Sequence, residues 1–154
     1  MRMRTLAGLA LAATSALVVG CGGGPAKNAE STAAEASHEG HTGGRVFFAS
    51  PKDGATVKSP VTIEFGLKGM GVAPAGVKFE NTGHHHLLID TDVPADQNAP
   101  LPTSDNVRHF GKGQTEATIE LKPGKHTLQL VLGDDKHTPH NPAVVSKKIT
   151  ITVK

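Results

Sequence analysis

An all-β fold, a single antiparallel β-sandwich of immunoglobulin-like type, follows from three observations on the 154-residue chain. Apolar and polar residues alternate in several short runs, the period of two that a half-buried strand shows. Turn-forming residues separate those runs, and 18 Gly and 10 Pro suit short strands joined by turns better than helices. After the leader, no apolar stripe with the 3.6-residue period of a helix occurs. Six or seven short strands in about 110 residues is the strand content of such a sandwich. The cysteine pair and tryptophan of antibody domains are missing from it.

The chain divides into three parts. Residues 1–20 carry Arg2 and Arg4, then an apolar run from Leu6 to Val19, too short and too rich in Ala and Ser/Thr for a comfortable membrane span. They end in Val18-Val19-Gly20-Cys21, which resembles a bacterial lipobox. That resemblance implies a lipoprotein signal peptide, lipidation at Cys21 and a mature N-terminus there. Two acyl chains anchor stably where one does not, so the expected partner is a membrane. Gly22 in place of an acidic residue favours the outer membrane, by resemblance to lipoprotein sorting in Gram-negative bacteria. Residues 21–44 then form a linker of Gly, Ala, Ser and Glu with too few large apolar groups to order itself. Its average reach is about 25 Å.

The domain is expected over 45–154. Val46–Ala49 is the first strand, closed by the turn cluster Ser50-Pro51-Lys52-Asp53-Gly54. Val61, Ile63, Phe65 and Leu67 alternate with polar or small residues in the second. Gly83–Asp90 is the third. Ala117, Ile119 and Leu121 mark the next, and Lys122-Pro123-Gly124-Lys125 turns into His126–Leu132, where Leu128, Leu130 and Leu132 face inward. Val145, Lys147, Ile149, Ile151 and Val153 define the last. Two connections, Lys68–Thr82 and Thr91–Gln114, exceed the 12–15 residues beyond which loops are usually functional or disordered. The second starts where the third strand ends, so it is expected to cover a site.

Composition removes several functions. The net charge of +2 rests on Arg2 and Arg4, and without them 14 basic residues face 14 acidic ones. A neutral domain with five Phe, no Trp and no Tyr gives no support to nucleic-acid binding or base stacking. The one cysteine is committed to lipid, which leaves no thiol for catalysis, a disulfide or metal ligation. No Ser/His/Asp or Cys/His set stands out, so no catalytic residue is assigned.

Histidine remains. Gly83–Asp90 reads Gly-His-His-His-Leu-Leu-Ile-Asp. On an extended strand His85, Leu87 and Ile89 share one face, and His84, His86, Leu88 and Asp90 share the other. Two histidines at i and i+2 have Cα atoms roughly 6.6 Å apart, near enough for both rings to meet one ion. His84 and His86 are therefore expected as metal ligands, with His109, His126, His137 and His140 as candidates to complete the set. Asp90 and Asp134 are expected to orient ring N–H groups from behind. An all-imidazole set suits copper or zinc better than calcium or magnesium. Against this, His85 is expected to be a core histidine, and His126 is either a ligand or a strand-end histidine bonded to a loop. His84 and His86 on a solvated strand face is the alternative to ligation. A cluster of imidazoles acting as a pH switch is another option. Met70 is a soft ligand or a packing plug, and His38 and His41 in the linker are an accessory metal catch or inert.

GHHHLLID at Gly83–Asp90, HFGKGQTE at His109–Glu116 and PGKHTLQLVLGDDKHTPHNPAVVS at Pro123–Ser146 resemble a small bacterial family of exported proteins and lipoproteins, a domain of unknown function. The resemblance covers Ser50–Lys154. It implies signature positions at Gly83–His86, His109, Gln114, Thr115, Glu116, His126, Asp134, His137 and His140, and no activity. Lys112 departs from the pattern, where glycine is expected. Three functions follow as alternatives: a metal-binding envelope lipoprotein for storage, delivery or sensing; a non-catalytic interaction module whose histidines order loops; and a copper redox enzyme. The last rests only on a strand His-x-His spacing similar to that of copper/zinc superoxide dismutases.

Overall fold

The computed structural model describes residues 43–154. The leader, Cys21, His38, His41 and the linker up to residue 42 lie outside the described residues. Nine strands follow in order: β1 (Arg45–Ser50), β2 (Thr56–Val57), β3 (Val61–Lys68), β4 (Gly71–Val72) and β5 (Thr82–Ile89). Then come β6 (Val107–Phe110), β7 (Glu116–Ile119), β8 (Gly124–Gly133) and β9 (Ile149–Val153). No helix occurs among the described residues.

The strands form two sheets. One has the order β1-β3-β7; the other runs β2-β9-β8-β5-β4, with β6 also paired to β5. The turn at Lys122–Lys125 therefore carries the chain from one sheet to the other, since β7 pairs with β3 and β8 with β5 and β9. Gly124, at φ +142°, is in a conformation that glycine adopts far more easily than other residues.

The pairing is mixed rather than purely antiparallel. The short strands β2 and β4 run parallel to β9 and β5. Each is a two-residue piece of a loop laid along a longer strand. The amides of Thr152 and Lys154 donate to the carbonyls of Ala55 and Val57 at 2.8 and 3.0 Å, pairing backbone groups that would otherwise be left open at a sheet edge. The last strand is also shorter than its alternation predicts. Val145 makes only an isolated bridge to Val131, and the Ser146 hydroxyl accepts from the Leu130 amide at 2.9 Å. It donates in turn to the Lys147 carbonyl at 2.8 Å, so a side chain takes backbone partners before β9 begins.

The core lies between the sheets. Val46, Ile63 and Phe65 from the small sheet meet Leu87, Leu130 and Ile151 from the large one, the inward residues of the period-two pattern. β5 is different, because it is buried on both faces. On its outer face Leu88 joins Leu101, Val107 and Val131 in a second apolar cluster. Leu101 comes from the long connection after β5. That connection is strapped down by the Ile89 amide to the Asn106 carbonyl (2.7 Å) and Asn106 Nδ2 to the Ile89 carbonyl (2.8 Å). The expected cover thus exists, and it turns a half-buried strand into a fully buried one.

Candidate metal centre

Period two on β5 sends His85 inward and His84 and His86 outward, and burial then treats them alike: they are 0 %, 0 % and 1 % exposed. His85 packs its ring against Phe65 at 5.0 Å between centroids and donates Nδ1–H to the Gln114 carbonyl at 3.2 Å. Burial lowers its pKa, against that hydrogen bond. It is a core histidine that also holds the chain after β6.

On the outer face, register brings the other rings in. β5 lies between β8 and β6, so His84 stands opposite Gly133, and His86 stands opposite Val131 on one side and His109 on the other. Directly opposed residues on one face touch. The loop after β8 adds His137. All six ring pairs among His84, His86, His109 and His137 then fall between 4.5 and 6.0 Å, centroid to centroid. Ring nitrogens of His84, His109 and His137 lie within 4.8 Å of one another. That is close enough to hold a metal ion.

Glycines make room for these rings. A Cβ on Gly133 would stand 2.6 Å from Cε1 and 3.0 Å from Nδ1 of His86. One on Gly111 would meet the His109 ring at 2.2 and 2.4 Å. Sequence alone gives neither glycine a role. The signal was present, since a glycine closing an alternating strand often marks a close approach.

Electrostatics keep the central rings neutral. Burial, then the nearby His109 and His137, lowers the pKa of His84 from 6.5 to about 4. Burial, then His84, His109 and His137, lowers that of His86 to about 3. His109 is lowered as well, by burial and by His137. At neutral pH these imidazoles each keep a free lone pair. Both nitrogens of His84 and of His86, and Nε2 of His109, are buried without a hydrogen-bond partner.

The remaining sequence candidates go elsewhere. Asp134 does not meet a ring N–H; its Oδ1 accepts the amides of Lys136 (2.8 Å) and Thr138 (2.9 Å). With the His137 amide on the Asp134 carbonyl at 3.0 Å, it fixes the turn that presents His137 at φ +70°. His140 is not among the four mutually packed rings. Its Nε2 is buried and unpaired, 2.8 Å from where a Gly83 Cβ would stand. Met70 packs against the core and over Gly44, as a plug.

His126 and Asp90 are set apart from the cluster. His126 lies seven residues along β8 from Gly133. Its Nδ1 meets Asp90 Oδ2 at 2.7 Å and its Nε2 the Lys122 carbonyl at 2.8 Å. Two acceptors require both nitrogens to carry a proton, and the Asp90 hydrogen bond accordingly raises the His126 pKa. Asp90 also accepts the Thr127 amide at 2.7 Å. The pair latches the end of β5 to β8, and the His126 ring offers no lone pair to an ion. His126→Ala is expected to cost about 1–2 kcal/mol in urea unfolding and to leave metal affinity unchanged. A tenfold loss of affinity in that variant would return His126 to the ligand set.

Fold and site together define an all-β domain with a cluster of four imidazoles able to hold a metal ion. The chain matches, over residues 63–154, the family described as a domain of unknown function, DUF4399, and belongs to it. The match includes all four clustered histidines. No curated protein and no solved structure matches the chain.

Proposed function

We propose that this chain is a cell-envelope lipoprotein whose histidine cluster binds a transition metal ion, copper or zinc, for storage, delivery or sensing. One observation carries the reading: the four ring nitrogens of His84 and His86 are buried without partners in the middle of four imidazoles. Leaving a buried polar group unpaired costs about 1–3 kcal/mol, and an ion relieves that cost for each lone pair it takes. His84 on β5, His109 on β6 and His137 on the Asp134 turn supply the ligand nitrogens. Imidazole nitrogen suits copper and zinc. The lipobox-like Val18–Cys21 and the linker behind it support anchoring through Cys21 to the outer membrane, facing the periplasm.

The test is thermal unfolding of the full chain with and without Zn(II) or Cu(II). An ion at a hundred times its Kd stabilises by about 2.7 kcal/mol, and His84→Ala and His137→Ala should lose that gain. Melting of the wild type that neither ion moves would remove the proposal.

A second reading, a non-catalytic interaction module whose histidines order loops, is favoured by His85 and His126, which do hold loops through hydrogen bonds. Capture of a defined envelope protein partner in the presence of chelator would support it over metal binding.

A further inference from the structure

The six ring separations say more about the ion, provided the cluster binds one as proposed above. A metal–nitrogen bond of about 2.0–2.1 Å places each imidazole centroid ~3.2 Å from a shared ion. Four rings at the corners of a tetrahedron are then ~5.2 Å apart in every pair. Four rings in a square plane are ~4.5 Å apart as neighbours and ~6.4 Å apart across both diagonals. The observed values are 4.7 Å (His84–His86), 4.9 Å (His84–His109) and 5.0 Å (His84–His137). The others are 5.1 Å (His86–His109), 6.0 Å (His86–His137) and 4.5 Å (His109–His137). A square with His86 and His137 on one diagonal needs His84 and His109 on the other. That pair is short, so the six separations fit a tetrahedron better than a square.

His86 is the ring to explain. It is 1 % exposed, neither nitrogen has a partner, and Gly133 leaves the space its ring edge occupies. Its nitrogens lie outside the set of three already within ligating reach, yet its centroid is as near to His84 and His109 as theirs are to each other. The terminal torsion of a histidine is broad, and it is the coordinate that would aim a His86 nitrogen at the others.

We infer that His86 is the fourth ligand of a closed, tetrahedral, all-imidazole site whose occupant is zinc(II). Zinc has no electronic preference against a tetrahedron, whereas Cu(II) and Ni(II) favour tetragonal or square arrangements. A site closed by four protein ligands leaves no position for a substrate. It holds or carries the ion and does not catalyse with it.

X-ray absorption at the zinc edge of the loaded full chain counts imidazoles without any mutation, and four nitrogen ligands with no water oxygen are expected. Co(II) in the same protein should show the intense visible bands of a tetrahedral site, and His86→Ala should lose them together with roughly tenfold or more in zinc affinity. In competition, zinc should exceed nickel by at least roughly tenfold, because a tetrahedral site denies nickel(II) its preferred geometry. Three imidazoles and a water, an unchanged cobalt spectrum in His86→Ala, or nickel outcompeting zinc would each overturn the fourth-ligand assignment while leaving metal binding intact. A wild type that takes up neither zinc nor cobalt overturns both.

Discussion

Gly133→Ala is expected to damage the metal centre. The added Cβ would stand 2.6 Å from Cε1 of His86 and 3.4 Å from the His137 carbonyl carbon. The His86 ring is buried between the His84 and His109 rings, at 4.7 and 5.1 Å, so it has no solvent to move into. Either the ring leaves the cluster or the end of β8 pulls away from β5. Overpacking of this kind costs about 1–3 kcal/mol, and zinc affinity should fall at least roughly tenfold with it. His126→Ala serves as a control that loses stability without affinity. Isothermal titration and urea unfolding on the two variants separate these effects. If Gly133→Ala binds zinc as tightly as the wild type, the packing of His86 over Gly133 is wrong.

Much of this is legible in the sequence. The alternation of Val61–Lys68 and of Leu128–Leu132 predicts strands with the correct inward faces, because a side-chain period of two is a local property. The split of the triple histidine, with His85 facing the core and His84 and His86 the other way, follows from the same rule. What sequence could not supply was register and cover. Whether His109 or His126 faces His86 depends on which strand lies beside β5, and β6 was hidden inside a loop with few apolar anchors. His109 is a candidate ligand on sequence, and His126 is either a ligand or a strand-end histidine. Only pairing shows that His109 stands opposite His86, while His126 sits at the far end of β8 with both nitrogens taken. Asp134 departs from its expected role for a related reason. A carboxylate near histidines suggests a ring partner, but a short Asp side chain bonds the backbone just ahead of it most readily, and here it builds the turn. The strands β2 and β4 leave no signal in the sequence because two residues are too few to show a period.

Acidification of the metal-free protein should unfold it well above the pH at which its buried histidines take up protons. In the unfolded chain His84 and His86 titrate near 6.5; in the folded one, burial and neighbouring imidazoles hold them to about 4 and about 3. Between those values the unfolded state binds more protons, so stability falls as pH falls, by ~1.4 kcal/mol per pH unit for each withheld proton. The contribution is intact above pH 6.5 and lost progressively down to about 4 and about 3. His85 and His109, also lowered, add in the same direction. His126 works the other way. Its raised pKa gives stability that is full below 6.5 and declines as pH rises through the folded value, one exposed-side latch against several buried rings. Urea midpoints of chelator-treated protein at pH 7.5, 6.5, 5.5 and 4.5 should therefore drop steeply over the last two steps. The same shifts weaken the competition between protons and metal for the ring nitrogens. Zinc-loaded protein should accordingly keep its ion, followed by a chromogenic chelator, to a lower pH than free imidazole does. A urea midpoint that is flat from pH 7.5 to 4.5 would mean that these rings are not buried as neutral groups, and an ion would then have no unpaired nitrogens to relieve.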